Sequence, residues 1–303
     1  MSEGTRTPDR LDHNQELYQL SYAHRASRRI GQAGAGRQGR VIRQRAGYMR
    51  MVVTSEIVPV LQEDPDLGRG LEGPRLAAAR RDCRAEVIAV RAGAWDAAAH
   101  ADGIEHGFGL LLLDGVVVRR VGRQRRHGAE LLGPGDLIRP TPAEGSDTLN
   151  TPFTTTWRVM EPLRAAVLDH GFVQRAAPYP ELAACLTARA VARARHVLVH
   201  MAIAHHARVD KRLELLLWHL ADRWGRVTPH GVALPLRLTH ELLADLVAAQ
   251  RPSVTLSLQH LERDGRLARR DGVMYLLGDP PGDGESDDED EDGSRDRTLA
   301  RTG

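Results

Sequence analysis

The sequence predicts an α+β chain: a β jelly-roll at residues 51–178, a long helix at 179–208 and a C-terminal winged helix-turn-helix at 209–278. Three observations predict it. Leu238–Leu276, LTHELLADLVAAQRPSVTLSLQHLERDGRLARRDGVMYL, reads as two short helices joined by a tight turn, followed by a two-stranded hairpin. The first half of the chain carries short apolar runs separated by turn residues, the pattern of a sandwich or barrel. Between them, Glu181 to His206 places Leu182, Leu186, Val197, Met201 and Ala204 among Arg and Ala, one helix longer than a small domain needs.

In chain order, residues 1–50 are Arg- and Gly-rich without periodicity and read as a disordered basic segment. They suit an arm for a polyanion backbone, an unstructured tail, or an upstream start, since Met49 and Met51 sit just before MVVTSEIVPVL. Leu76–Arg84 reads as a short helix. Strand-like runs follow at Glu86–Arg91, Gly109–Leu113, Val116–Val121, Ala129–Leu132, Thr154–Met160 and Ala165–Leu168. Asp114-Gly115, Gly133-Pro134-Gly135-Asp136 and Glu161-Pro162 read as turns between them, and Thr141–Pro152 as a loop. The long helix is suited to a helix-to-helix dimer seam or to a buried core. A second helix, Asp210–Trp224, aligns Leu213, Leu216, Leu217 and Leu220, and Thr228–Leu236 links it to the helix-turn-helix. Residues 279–303 hold ten acids against three Arg and read as a disordered acidic tail.

The C-terminal unit has the most specific signals. Thr239 is an N-cap residue, and Glu241 lies in the first turn, where the helix dipole favours an acid. Leu242, Leu243, Leu246 and Val247 form the first apolar stripe; Val254, Leu258 and Leu261 form the second. Ala244 and Ala248 are small enough for a close helix crossing. Arg251-Pro252 opens the second helix, because Pro is tolerated at a helix start. Arg251, Ser253, Thr255 and Gln259 are left on its polar face, able to bond base edges or phosphates. Arg269-Arg270 leads into Asp271-Gly272, a two-residue hairpin signal. Such a unit presents a helix to the major groove of DNA.

Formal net charge is +2 and hydrophobic content 42%, so charge alone assigns no partner while the core can be substantial and aliphatic. The two cysteines, Cys83 and Cys185, cannot form a CxxC metal knuckle or a four-cysteine cluster. No apolar run is long enough for a membrane span, and the N-terminus has no secretory apolar core, so a cytoplasmic chain is expected. No catalytic residue, metal ligand or cofactor is expected.

The order of these elements resembles the cyclic-AMP receptor protein/Fnr family of transcription regulators over about Leu61 to Gly278. The resemblance is strongest in LTHELLADLVAAQRPSVTLSLQHLERDGRL, and GPGDLI is similar to the family's Gly-Asp turn. It implies a cyclic-nucleotide-binding-like jelly-roll, a homodimer through the long helix, a two-fold double-stranded DNA operator, and RNA polymerase as a further partner. It places Arg251 on the family's guanine-reading arginine. Pro252 falls where some members carry a base-reading Glu, and Leu256 where they carry a second Arg. The DNA-binding set is then Arg251, Pro252, Ser253, Thr255, Gln259, Thr239, Arg269 and Arg270. The family's ligand residues are missing: Arg139-Pro140 stands where Gly-Glu would take the ribose, and Thr154-Thr155-Thr156 near the phosphate-binding Arg. The expectation is a regulator that does not bind cyclic AMP, with Arg139 as the one candidate ligand contact. Two alternatives are a regulator answering to another small molecule in the jelly-roll cavity, and a cupin-like enzyme. The second lacks strand His and Glu ligands, because His100, His106 and His127 fall at loop-like positions; haem or metal through His205-His206 is disfavoured, since adjacent histidines on a helix face different ways.

Overall fold

The computed structural model describes residues 56–100, 103–123, 126–140 and 153–282. The expectations for residues 1–50, for the loop 141–152 and for the tail beyond 282 lie outside the described residues. The elements are β1 (Glu56–Pro59), α1 (Val60–Glu63), α2 (Gly73–Asp82), β2 (Arg84–Val90), β3 (Gly93–Trp95), β4 (Gly109–Arg123), β5 (Arg126–Leu132), β6 (Leu137–Ile138), β7 (Thr154–Leu168), α3 (His170–Ala176) and α4 (Pro180–Ala204). They are followed by α5 (Val209–Trp224), β8 (Arg226–Thr228), β9 (Gly231–Leu234), α6 (His240–Leu246), α7 (Arg251–Arg263), β10 (Leu267–Arg270) and β11 (Val273–Leu276). Among the described residues the chain divides into two compact units. One holds 56–206 together with 237–251; the other holds 207–236 and 252–282.

The first unit is built on β4 and β7, each 15 residues long. Sequence reasoning put turns at Asp114-Gly115 and Glu161-Pro162, which would have cut each strand in two. Instead both dipeptides lie inside single strands, opposite one another. The β4–β7 register slips between Leu112 and Asp114, between Asp114 and Val116, and between Val116 and Val117. Gly115 has φ +87°, and a Cβ there would lie 2.4 Å from the Pro162 carbonyl oxygen. Gly and Pro suit a bulge as well as a turn, because one supplies positive φ and the other needs no ladder partner.

The bulges divide the antiparallel sheet into two layers. β2 and β6 pair with the halves of β7 and β4 on one side of the bulges, with β1 at the outer edge of β2; β3 and β5 pair with the halves on the other. Leu110, Leu112, Ile88, Leu163, Ala165 and Ile138 from one layer meet Trp95, Val117, Leu132 and Val159 from the other in a common core. Intervening residues Val87, Leu111, Ala166 and Leu168 point to a second core with Leu61, Leu67, Phe172, Leu182 and Leu186 from the surrounding helices and turns. Burial on both faces explains why Leu110–Leu113 is an unbroken apolar run and not an alternating one. Asp169 caps α3 by accepting a hydrogen bond from Phe172 N at 2.7 Å.

Helix α4 is held to this unit first by apolar and then by charged side chains at heptad spacing. Leu182 and Leu186 are buried. One and two turns on, Arg189 pairs with buried Asp64, its Nη2 donating to Oδ1 at 3.0 Å. Arg193 then grips Glu130 of β5 in a fork, at 2.7 and 3.0 Å, and donates to the Leu137 carbonyl at 2.9 Å. Arg119 of β4 reaches the same carboxylate at 2.6 Å. Burial alone would raise the Glu130 pKa, but the bonds and charge of Arg193, then of Arg119, outweigh it and hold the carboxyl below its ordinary value. On the outer face of the other layer, α6 lies against β5, and Arg120 Nε donates to Asp245 Oδ2 at 2.6 Å.

In the second unit α5 buries Leu213, Leu216, Leu217, Leu220 and Trp224. Its Glu214 is ion-paired with Arg266 at 2.5 Å. The segment expected to be a link forms a hairpin, β8–β9, and the two-stranded wing is thereby part of a four-stranded sheet in the order β10-β11-β9-β8. Thr228 closes that turn, donating to the Gly231 carbonyl at 2.7 Å. Strands of three and four residues carry too little alternation to stand out from a Pro- and Gly-containing link.

Two outcomes are expected. Gly115→Ala places a Cβ against a carbonyl at positive φ and should cost about 1–3 kcal/mol of stability, read as a lower urea midpoint; an unchanged midpoint would show that the bulge tolerates a side chain. A carboxylate whose pKa falls on folding adds stability above its unfolded value, and that contribution is lost as pH drops through the lower folded value. The stability gap between wild type and Glu130→Gln should therefore narrow on acidification below 4.5, the ordinary carboxyl value. A gap that stays constant would remove Glu130 from the balance.

Candidate nucleic-acid interface

Thr239 caps α6 as its position requires, its side chain accepting from Leu242 N at 3.1 Å. The helix closes with Ala249 N bonded to the Ala244 carbonyl at 2.9 Å, and Ala248 adopts φ +51° in the turn. A left-handed Ala is disfavoured, so the turn is held by its surroundings and not by local preference. Helix α7 opens at Arg251-Pro252. Its inward face carries Val254, Ser257, Leu258 and Leu261, all buried. Arg251, Pro252, Ser253 and Gln259 are exposed, whereas Thr255 is half-buried. The open face thus carries a planar five-donor cation, a hydroxyl and an amide at the helix's first turns, the groups that bond base edges and phosphates. The helix's own N-terminal N–H groups add partial positive charge there.

The hairpin follows the sequence closely. Asp271 and Gly272 have φ +51° and +77°, the double positive φ of a tight two-residue turn, and Arg270 pairs across it with Val273. Arg270 is exposed; Arg269 is ion-paired with Glu262 of α7 at 3.0 Å, which ties the hairpin to that helix. Leu256, which the resemblance aligns with a second arginine of some family members, is not among the expected contacts. Its side chain is 54% exposed on the open face of α7.

Across the inner face of the β-unit the register aligns Trp95, Trp157, Arg119 and Glu130 in a row over four strands. They share the inner side of Val117, Leu132 and Val159, two residues away on the same strands. Trp95 and Trp157 meet edge-to-face at 5.8 Å, and the Arg119 guanidinium lies 5.9 Å from the Trp157 ring centre. Arg193 completes the row from α4 through Glu130. This inner wall is occupied by the chain's own aromatic and ion-paired side chains. Arg139 is engaged elsewhere: its Nη2 donates to the carbonyls of Glu105 at 2.7 Å and Ile104 at 3.2 Å, holding the loop before β4. The Gly133–Asp136 turn is closed by Asp136, which accepts from Gly133 N at 2.8 Å.

His127 lies on β5, not in a loop, and His205 follows the last turn of α4 with Nδ1 2.7 Å from the Met201 carbonyl. Burial, then the charge of Asp82, pushes the Cys83 thiol up to about 11, so it is a poor nucleophile. Among the described residues no three His, Cys, Asp or Glu side chains cluster as metal ligands, and no helix is long and apolar enough to cross a membrane.

No curated protein matches the chain. Solved structures similar to it include a CRP-family transcriptional regulator of Thermus thermophilus, at 23% identity over 56% of this chain and 82% of that one, with a TM-score of 0.42. Another is a CooA mutant from Carboxydothermus hydrogenoformans, at 18% identity over 64% and 83%, TM-score 0.49. A third is a cyclic nucleotide-binding domain containing protein of Listeria monocytogenes, at 12% identity over 63% and 88%, TM-score 0.49. Residues 211–281 match the model of the Crp-like helix-turn-helix domain, a span that takes in α5, the β8–β9 hairpin, the capped α6, α7 with its polar face, and the Asp271-Gly272 hairpin. Residues 211–281 are thus similar to the Crp-like helix-turn-helix domain.

Proposed function

We propose that this protein is a cytoplasmic, homodimeric transcription regulator that reads double-stranded DNA with α7 and does not answer to cyclic AMP. The observation that carries the reading is the Crp-like domain whose second helix leaves Arg251, Ser253 and Gln259 open to solvent. Arg251 is the base-reading residue of choice, since its fork fits the O6/N7 edge of guanine. Thr255, Thr239, Arg269 and Arg270 complete the contact set chiefly toward phosphate and sugar, and Pro252 adds an apolar contact. RNA polymerase is the partner that this reading brings to bound DNA.

The dimer rests on α4. Leu182, Leu186, Arg189 and Arg193 hold one side of the helix to the β-unit. A second stripe, Ala184, Ala188, Val191 and Leu198, is exposed along its other side. Leu198 is 64%, Met201 53% and Val191 49% exposed, a large apolar excess for one helix. A second copy of α4 is the occupant with the matching chemistry, and two-fold pairing would set two α7 helices at half-sites about 34–36 Å apart. Insensitivity to cyclic AMP rests on the missing Gly-Glu pair and phosphate arginine, and on the Trp157–Arg119–Glu130–Arg193 row along the inner wall.

Selection of bound fragments from genomic DNA by the full chain should return a two-fold motif; recovery of unrelated fragments would refute sequence-specific reading. Leu198→Glu should convert a sedimenting dimer to monomer and weaken operator binding at least tenfold, whereas a dimer that survives the substitution would place the seam elsewhere. Isothermal titration with cyclic AMP should give no saturable heat. A micromolar dissociation constant abolished by Arg139→Ala would instead assign the phosphate to that arginine.

A further inference from the structure

We infer that Leu256 is a specificity residue that seats against a thymine methyl group in each operator half-site. The inference rests on the reading of α7 as the DNA-contacting helix. At roughly 100° per residue, Leu256 lies about 140–200° around the helix from Val254, Leu258 and Leu261, the three apolar side chains that hold α7 in place. It therefore packs nothing with them, and its side chain is 54% exposed. Its neighbours on the open side are Pro252 one turn before and Gln259 one turn after, with Ser253 beside them; all three are exposed. An isobutyl group in that position has nothing to offer a phosphate oxygen, a ribose hydroxyl or a base N–H. The single apolar feature that B-DNA presents in its major groove is the C5-methyl of thymine. Pro252, on the same line of the helix, extends the apolar spot.

The position along the helix narrows the register. Leu256 follows Arg251 by five residues, a rise of about 7.5 Å along the axis. That spans roughly two base-pair steps of 3.4 Å. The thymine thus lies within about two base pairs of the guanine taken by Arg251. The two side chains divide the work: a cationic fork reads a hydrogen-bonding edge, and Leu256 reads a methyl group on a neighbouring pair.

Thymine-to-uracil replacement tests this directly, because it removes the methyl and leaves every hydrogen-bonding group of the base in place. The full-chain protein is titrated against its selected operator, with each thymine of a half-site replaced in turn by deoxyuridine. One position per half-site should weaken binding about fourfold, the worth of one buried methyl-sized group, and replacement in both half-sites should compound the loss. Leu256→Ala should bind the thymine and uracil operators equally, while keeping its preference for guanine at the Arg251 position. Arg251→Ala should show the reverse: the guanine preference goes and the methyl effect stays. Because Leu256 is exposed, its substitution should leave the thermal midpoint in place, and Leu256→Ser serves as a second check on the methyl effect. Operators bound tightly but indifferent to uracil at every position would overturn the role of Leu256 while leaving DNA reading intact. A methyl effect that persists in Leu256→Ala would overturn it equally. A chain that binds no DNA at all would remove the underlying reading and this one with it.

Discussion

The opposed bulges at Gly115 and Pro162 are the constraint on which the rest of the β-unit depends. Two fifteen-residue strands paired without interruption would give a long twisted ribbon with two open faces. The register slips bend both strands at one level, so each strand serves two layers and closes a core between them. Folding the sheet on itself also decides what the other faces are for. One outer face takes the helices and turns of the second core, and the other takes α6 against β5. The edge carrying β5 and β6 presents Glu130 and the Leu137 carbonyl to α4, which is where Arg193 finds them.

The Arg119–Glu130–Arg193 cluster shows how an ion network can specify position without adding much net stability. Taking three charges partly out of water costs free energy that their mutual attraction roughly returns. The asymmetry lies in the alternatives. An α4 that rotated by one residue would leave Glu130 facing Arg119 alone and would strand the Arg193 fork, whereas a purely apolar contact would tolerate the slip. Arg189 with Asp64 repeats the device one turn earlier. The two pairs fix which side of α4 faces the sheet, and so which stripe faces outward.

The C-terminal unit was legible in the sequence because each of its signals has a single structural use. A Thr before an apolar stripe caps a helix; Arg-Pro opens one; Asp-Gly between short apolar runs turns a hairpin. All three appear in their expected roles at Thr239, Arg251-Pro252 and Asp271-Gly272. Where signals have two uses the sequence misled. Gly115 and Pro162 suit turns and bulges alike, and only long-range pairing chooses between them. The β8–β9 hairpin is too short to show a period. Arg139 was singled out for its charge, which gives no hint that its guanidinium holds the carbonyls of a loop 34 residues upstream. Leu256 was legible in part: the spacing of Val254, Leu258 and Leu261 already leaves it off the inward face, but an apolar side chain carries no hydrogen-bonding group to mark it as a contact.

The outward stripe of α4 carries geometric information beyond its exposure. Ala184, Ala188, Val191 and Leu198 are spaced four, three and seven apart, a mean of 3.5 residues per turn. A straight helix of 3.6 residues per turn drifts away from such a seam, so a partner helix that follows it must wind around α4 with a left-handed twist, crossing at about 20°. The stripe also tapers, with alanines at its beginning and Val191 and Leu198 further on. In the parallel pairing proposed for α4, two copies would approach closely at the alanine end and stand further apart where the larger side chains meet.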